Sequence, residues 1–308
     1  MAIEFFKFII YSLCIVLIAK YILVKLLRKL AETLQLSSRT VGNIAGFATS
    51  IPELLTVSFS AFTGLLGTSI YNILSSNVIN FVQYLFSIVL SKNQKILRNK
   101  ALRIDLCLVA LTIFIPMVML LFSWNFSIHI VPIFLLCFFF FYYLNKNAHK
   151  LYLPKQEGIL EKEIKAEEER IHKKSKILIT HSIFLLLTGG ILYWIGNQLS
   201  IVLENLADMF SVPEWIIGIA LGFITSIPEL ITFFESQKHY KEKEERELGV
   251  IEATNNLLAS NILNLFIIQS IGILIFTWSQ AQIPYQEEIL VVQREKRNVI
   301  KILKEKFI

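Results

Sequence analysis

Two windows of this chain, residues 106–144 and 253–286, contain no Asp, Glu, Lys or Arg, and nothing else in the sequence restricts the fold as tightly. A bilayer is crossed by about 20 apolar residues in a helix, and lipid offers the backbone no hydrogen-bonding partner outside helices and closed barrels. Runs of this length therefore predict membrane-spanning helices. The whole chain agrees: over 308 residues it is 55% hydrophobic with a mean hydropathy of +0.59, more apolar surface than a soluble domain buries. The expected fold class is all-α, a polytopic transmembrane bundle, placed in the cell membrane as a multi-pass protein.

Periodicity and charge place spans near 5–24, 43–66, 69–90, 106–122, 128–144, 177–196, 213–234 and 250–278, about eight in all. The first is read as a retained span, since no small-residue cleavage site follows it. Basic residues mark one side of the membrane. Lys25, Arg28, Lys29 and Arg39 follow the first span, and Lys92, Lys95, Arg98, Lys100 and Arg103 follow the third, whereas the links at 65–68 and 123–127 carry no charge. The basic side is cytoplasmic by the positive-inside rule, which also accounts for the net charge of +6 without nucleic acid.

Residues 146–176 hold nine Lys or Arg and six Asp or Glu, and divide the chain into a first transmembrane half, 1–145, and a second, 177–278. Helix formers from Glu161 to Lys176 suggest a solvated cytoplasmic helix. The segment with Glu204, Asp208 and Glu214 reads as an external loop, and Lys238–Glu247 as the charged ends of two helices. The tail, 279–308, carries six Lys or Arg from Arg294 to Lys306 and is expected to lie as an amphipathic basic segment on the membrane surface. Cys14, Cys107 and Cys137 fall in apolar spans without paired spacing, and His129, His149, His172, His181 and His239 show no ligand spacing.

Each half repeats one segment. Residues 46–54 read Gly-Phe-Ala-Thr-Ser-Ile-Pro-Glu-Leu and residues 222–230 read Gly-Phe-Ile-Thr-Ser-Ile-Pro-Glu-Leu. By span counting the first copy runs out of the cytoplasm and the second runs in, so the repeat is inverted. Inverted repeats with Pro-interrupted helices at matching positions are the pattern of secondary transporters, whose sites lie at the bilayer midplane. Pro52 and Pro228 are expected to free the carbonyls of Ala48 and Ile224. Thr49 and Glu53, like Thr225 and Glu229, are spaced i, i+4 and are expected to share a helix face.

A polar cluster follows each copy: Asn72, Ser75, Ser76, Asn77 and Asn80, then Asn255, Asn256, Ser260, Asn261 and Asn264. A charge at mid-bilayer costs about 2.5–3.5 kcal/mol on insertion scales, so two matching glutamates point to a role. Two carboxylates with hydroxyl and amide oxygens suit Ca²⁺, which takes six to eight hard oxygens. Protons are expected to compete with the metal. No phosphate-binding loop and no nucleophile with its base argues for an enzyme.

These segments resemble the sodium/calcium exchangers of the cation/calcium exchanger superfamily. The family pairs Gly-Thr-Ser-x-Pro-Glu with Gly-Asn-x-x-Gly-Ser-Asn. Here the first appears at 48–53 and 224–229, and the second at 71–77 and 255–261. The resemblance implies a Ca²⁺/Na⁺ or Ca²⁺/H⁺ antiporter working by alternating access, with no cofactor beyond the transported ions. It implies ion ligands at Glu53 and Glu229, at Thr49, Ser50, Thr225 and Ser226, and at Ser76, Asn80, Ser260 and Asn264. The glycines of the pattern are replaced by Ala48, Tyr71, Ser75, Ile224, Asn255 and Ala259. Glu229 precedes Ser260 by eight residues more than Glu53 precedes Ser76, most simply through extra loop within 235–249. Asn264 stands where relatives often carry Asp. The family plan has ten spans, and nothing after 278 is apolar enough to cross, so the expectation is either that a partner subunit or a second copy completes the bundle or that the chain is a non-transporting scaffold relative that keeps the cation-binding repeat, with an antiporter for another cation as a third reading.

Overall fold

The computed structural model describes residues 2–23, 25–26, 29, 36–121, 126–152, 175–210, 213–242 and 245–281. Residues 153–174 of the linker, with most of its expected helix, and the tail beyond Ala281 lie outside them. Among the described residues all the regular structure is helical: α1 (Ala2–Ile18), α2 (Ser38–Thr49), α3 (Ile51–Phe62), α4 (Leu66–Leu90), α5 (Lys100–Leu121), α6 (Val131–Tyr152), α7 (Ser175–Phe210), α8 (Glu214–Thr225), α9 (Ile227–Glu242) and α10 (Arg246–Ile262). A π-helical stretch, Leu263–Ile268, continues α10, and helix runs on to Ala281.

Among the described residues, six helical segments have the length and hydropathy to cross a membrane: Ser38–Phe62, Leu66–Leu90, Leu102–Met119, Ile128–Asn145, Glu214–Glu242 and Arg246–Ala281. They correspond to six of the eight expected spans. The other two correspond to α1 and to the shorter apolar stretch Ile183–Leu199 within α7. Large apolar side chains on the outside of the bundle, such as Leu136 and Phe139, are exposed, as lipid-facing residues should be. Two boundaries differ from expectation. α2 begins five residues before 43, because Ser37 caps it by accepting a hydrogen bond from the Thr40 N–H at 3.3 Å. α7 runs through Glu204 and Asp208, read above as loop, since no proline interrupts the chain before Pro213.

The two halves repeat one design. α3 and α4 form a tight hairpin, turned by Gly64 at φ 91°, with the Leu65 N–H bonded to the Ser60 carbonyl at 2.8 Å. α9 and α10 form its counterpart. α9 has 16 residues where α3 has 12, and α10 likewise begins a turn earlier relative to the repeat. The eight extra residues of the second half therefore lengthen two helices by a turn each and leave the link between them short.

The halves interlock through glycine. α2 crosses α10, and α8 crosses α4 in the equivalent way. Gly42 and Gly46 lie one turn apart on α2, as do Gly218 and Gly222 on α8. A Cβ on Gly46 would stand 2.6 Å from the Asn256 carbonyl oxygen and 2.9 Å from the Ser260 nitrogen. One on Gly222 would stand 2.8 Å from the Asn72 oxygen and 3.0 Å from the Ser76 nitrogen. Gly42 and Gly218 approach the carbonyls of Glu252 and Thr68 in the same manner. The close approach that the absent motif glycines would give is thus supplied by the facing helices, in the small-xxx-small manner of membrane interfaces.

The centre of the bundle is polar and pseudo-symmetric. Asn77 Nδ2 donates to the Asn261 carbonyl at 3.2 Å, and Asn261 Nδ2 donates to the Asn77 carbonyl at 3.2 Å. Both side chains are buried. Asn77→Leu removes the Nδ2 donor and leaves the buried Asn261 carbonyl without this partner, and is expected to lower stability by about 1–3 kcal/mol, read as a lowered unfolding midpoint in detergent. An unchanged midpoint would mean that this bridge does not hold the halves together.

Candidate functional site

The repeated Thr-Ser-Ile-Pro-Glu segments are where two helices break. α2 ends at Thr49, Ser50 stands between, and α3 begins at Ile51 with Pro52 in its first turn. α8 ends at Thr225, Ser226 stands between, and α9 begins at Ile227. Proline fits this position because the first turn of a helix needs no N–H donor. Threonine and glutamate were expected to share a face of one Pro-interrupted helix. They instead sit on either side of a break, the hydroxyl in the last turn of one helix and the carboxylate in the first turn of the next. The backbone links across each break are Ser50 N–H to Gly46 at 3.2 Å and Ser226 N–H to Gly222 at 3.1 Å.

Thr49, Ser50, Glu53, Ser76, Asn80, Thr225, Ser226, Glu229, Ser260 and Asn264 all have no solvent-exposed surface. Ser50 Oγ lies 2.9 Å from Ser260 Oγ, which donates to Glu229 Oε1 at 3.1 Å and accepts from Asn80 Nδ2 at 3.4 Å. Ser76 Oγ lies 3.4 Å from Thr225 Oγ1. Glu229 therefore meets the serine of the helix following its own, and Ser76 meets the threonine of the other half. Six of the ten are joined in this way, Ser50, Asn80, Glu229 and Ser260 in one set and Ser76 with Thr225 in another, while Thr49 and Glu53 flank the break at Ser50. Ser226 Oγ and the Asn264 amide make no hydrogen bond to the others, and Asn264 sits in the π-helical stretch.

The site is rich in unused acceptors. Neither carboxylate oxygen of Glu53 makes a hydrogen bond, nor do Glu229 Oε2 and Asn80 Oδ1. The Thr49 and Thr225 hydroxyls donate to the Ala45 and Leu221 carbonyls at 2.9 and 3.0 Å, which leaves their lone pairs free to accept. Buried acceptors without donors are costly, and a cation satisfies many at once. Among the described residues no three His, Cys, Asp or Glu gather together, so the charge here rests on two carboxylates.

A second layer supports the first. Asn72 Nδ2 donates to Thr56 Oγ1 at 2.7 Å, and Asn256 Nδ2 donates to Thr232 Oγ1 at 2.5 Å. Thr56 and Thr232 in turn lie 3.1 and 2.8 Å from the Glu53 and Glu229 carbonyls, one turn along α3 and α9. These pairs fix the first turn that carries each glutamate. The threonines escaped the sequence reading, although Glu-x-x-Thr recurs in both copies. The interface glycines escaped it too, with their four-residue spacing as the available signal.

Comparison with known proteins agrees with this architecture. The family model described as sodium/calcium exchanger protein matches residues 5–145 and 180–297. Among solved structures, the chain is similar in fold to the sodium-calcium exchanger NCX_Mj soaked with 10 mM Na⁺ and zero Ca²⁺, at 20% identity and a TM-score of 0.53, covering 89% of this chain and 84% of that one. It is likewise similar to the same exchanger soaked with 100 mM Na⁺ and 10 mM Sr²⁺, at 20% identity and 0.53, covering 89% and 83%. A search of curated proteins gives no match.

Proposed function

We infer that this chain, which belongs to the sodium/calcium exchanger family, exchanges Ca²⁺ for Na⁺ or H⁺ across the membrane by alternating access, with the cation held between Glu53 and Glu229. The observation that carries the reading is two buried carboxylates, one from each inverted half, among buried acceptor oxygens that no donor of the described residues satisfies. Ser50, Ser76, Asn80, Thr49, Thr225 and Ser260 complete a shell of hard oxygens. Ser226 and Asn264 are assigned to it by the repeat pattern.

The chemistry favours Ca²⁺ as one substrate. Two negative charges match one divalent ion, and neutral hydroxyl and amide oxygens supply flexible, multidentate coordination. Na⁺ binds the same oxygens, and two glutamates accommodate more than one monovalent ion. No bond is made or broken. The work is to move an ion between two faces without a continuous aqueous path, and the closed arrangement around both glutamates supports that role.

Proteoliposomes containing the purified chain are expected to accumulate Ca²⁺ when an outward Na⁺ or H⁺ gradient is imposed, and to release it when the gradient is reversed. Accumulation driven by neither gradient would overturn the coupling, and the absence of Ca²⁺ movement under both would overturn the substrate.

A further inference from the structure

The helix that continues α10 departs from regular geometry just where it leaves the central site. Leu263–Ile268 is π-helical, and the N–H of Gln269 bonds the Asn264 carbonyl. In an α-helix the residue five places on stands about 140° around the axis, whereas a π-turn closes at that residue and stacks it over the first. Asn264 and Gln269 therefore rise on one side of the helix, a single turn apart.

Gln269 is 1% exposed and Asn264 has no exposed surface. Among the described residues neither amide finds a partner: Asn264 Oδ1 and Nδ2 and Gln269 Oε1 and Nε2 all stand without a hydrogen bond. Unpaired buried amides are costly, and here two are stacked together. The stretch around them rests on the hairpin that carries Glu53. Ile268 packs with Val57 and Ile73, and Val57 lies one turn beyond Glu53 on α3. A Cβ on Gly272 would stand 2.7 Å from Val57 Cγ1 and 2.9 Å from Ser69 Oγ, which is itself buried and unpaired.

The positive-inside reading puts the start of α10 in the cytoplasm and the uncharged link at 65–68 outside, so Gln269 and Ser69 lie on the external side of the glutamates. The first half does not repeat the device. α4 is α-helical from Leu66 to Leu90, and Leu85 stands five residues after Asn80.

We propose that Gln269 is a further ion ligand, which with Asn264 binds Na⁺ on the external side of the two glutamates and leaves Ca²⁺ to the carboxylates. This rests on the exchanger reading above. Amide oxygens are hard, neutral ligands, and they replace the hydration of a monovalent ion far more readily than that of a divalent one, which needs formal charge beside it. The π-turn is what brings the second amide into register with the first.

The test is direct binding of ²²Na⁺ and of ⁴⁵Ca²⁺, each without the other, to the full chain purified in detergent. Gln269→Leu is expected to raise half-saturating Na⁺ about tenfold, the worth of one neutral ligand, and to leave half-saturating Ca²⁺ unchanged. The unfolding midpoint of the ion-free variant should be unchanged or raised, since an unpaired buried amide is gone. Gln269→Glu, which adds a charge beside Asn264, is expected to lower half-saturating Ca²⁺. Equal weakening of both ions in Gln269→Leu would reveal a packing role and overturn the proposal, as would two variants that bind both ions like the wild type. A wild-type chain that binds Ca²⁺ and no Na⁺ would also overturn it. A wild-type chain that binds neither ion would instead overturn the exchanger reading itself, so the two failures are told apart.

Discussion

Glu53→Gln and Glu229→Gln are each expected to reduce gradient-driven Ca²⁺ exchange by at least about 100-fold, because losing one charged ligand of a buried pair costs about 3–5 kcal/mol and each 1.4 kcal/mol is tenfold. Glutamine preserves size and the buried position, so the protein should still fold. Removing a buried charge should even raise the unfolding midpoint in detergent, since the isolated site holds two carboxylates without exposed surface. The pairing of lost flux with unchanged or raised stability is the signature. Flux retained in both variants would remove the glutamates from the ion site, and flux lost together with the fold would assign them a packing role.

The second large effect concerns helix approach. Gly46→Ala and Gly222→Ala each place a methyl group against backbone of the facing helix, at 2.6 Å from the Asn256 oxygen and 2.8 Å from the Asn72 oxygen. Neither contact is relieved by turning a side chain, so α2 must move off α10, or α8 off α4. Overpacking of this kind costs about 1–3 kcal/mol. The displaced groups include the backbone of Ser260 or Ser76, one residue type in each half that faces a glutamate, so exchange should fall more than stability does. Flux in reconstituted vesicles and unfolding in detergent measure the two separately. Gly189→Ala, where a Cβ meets nothing within 4 Å, is the control expected to change neither.

Much of this arrangement is legible in the amino-acid order, and the illegible part has a physical pattern. The windows without charge dictate helices, and the repeated Thr-Ser-Ile-Pro-Glu segment marks the carboxylates, because an acid in lipid is too costly to be incidental. Helical spacing alone does not reveal that Ser50 and Ser226 interrupt their helices. A proline is compatible both with a kinked helix and with the first turn of a new one, and the choice depends on tertiary contacts. The interface glycines were hidden for a related reason. The eye follows the motif positions at Ala48, Tyr71 and Ser75, whereas the close approach needs a small residue on only one of two facing helices, and Gly218 and Gly222 supply it from far along the chain. The Asn77–Asn261 bridge joins residues 184 positions apart and leaves no local trace.

Glu252 lies between these cases. Its acidic side chain stands immediately before a window without charge, which makes it look like the boundary residue of a span. Only its bond from Ser236, followed by the links Asn256–Thr232 and Ser260–Glu229, shows that a row of polar contacts between α9 and α10 continues inward from it.

The lack of exposure at both glutamates also bears on leakage. A carrier that returned empty would have to close its gates around two bare carboxylates, with neither water nor counter-ion beside them. That state is higher in energy than the loaded one by the electrostatic cost of uncompensated buried charge. The loaded carrier crosses the same closed state with its charges neutralised. Under the exchanger reading, tight coupling then requires no separate lock: each reorientation waits for a passenger, and the ion gradient is not dissipated by idle turnover.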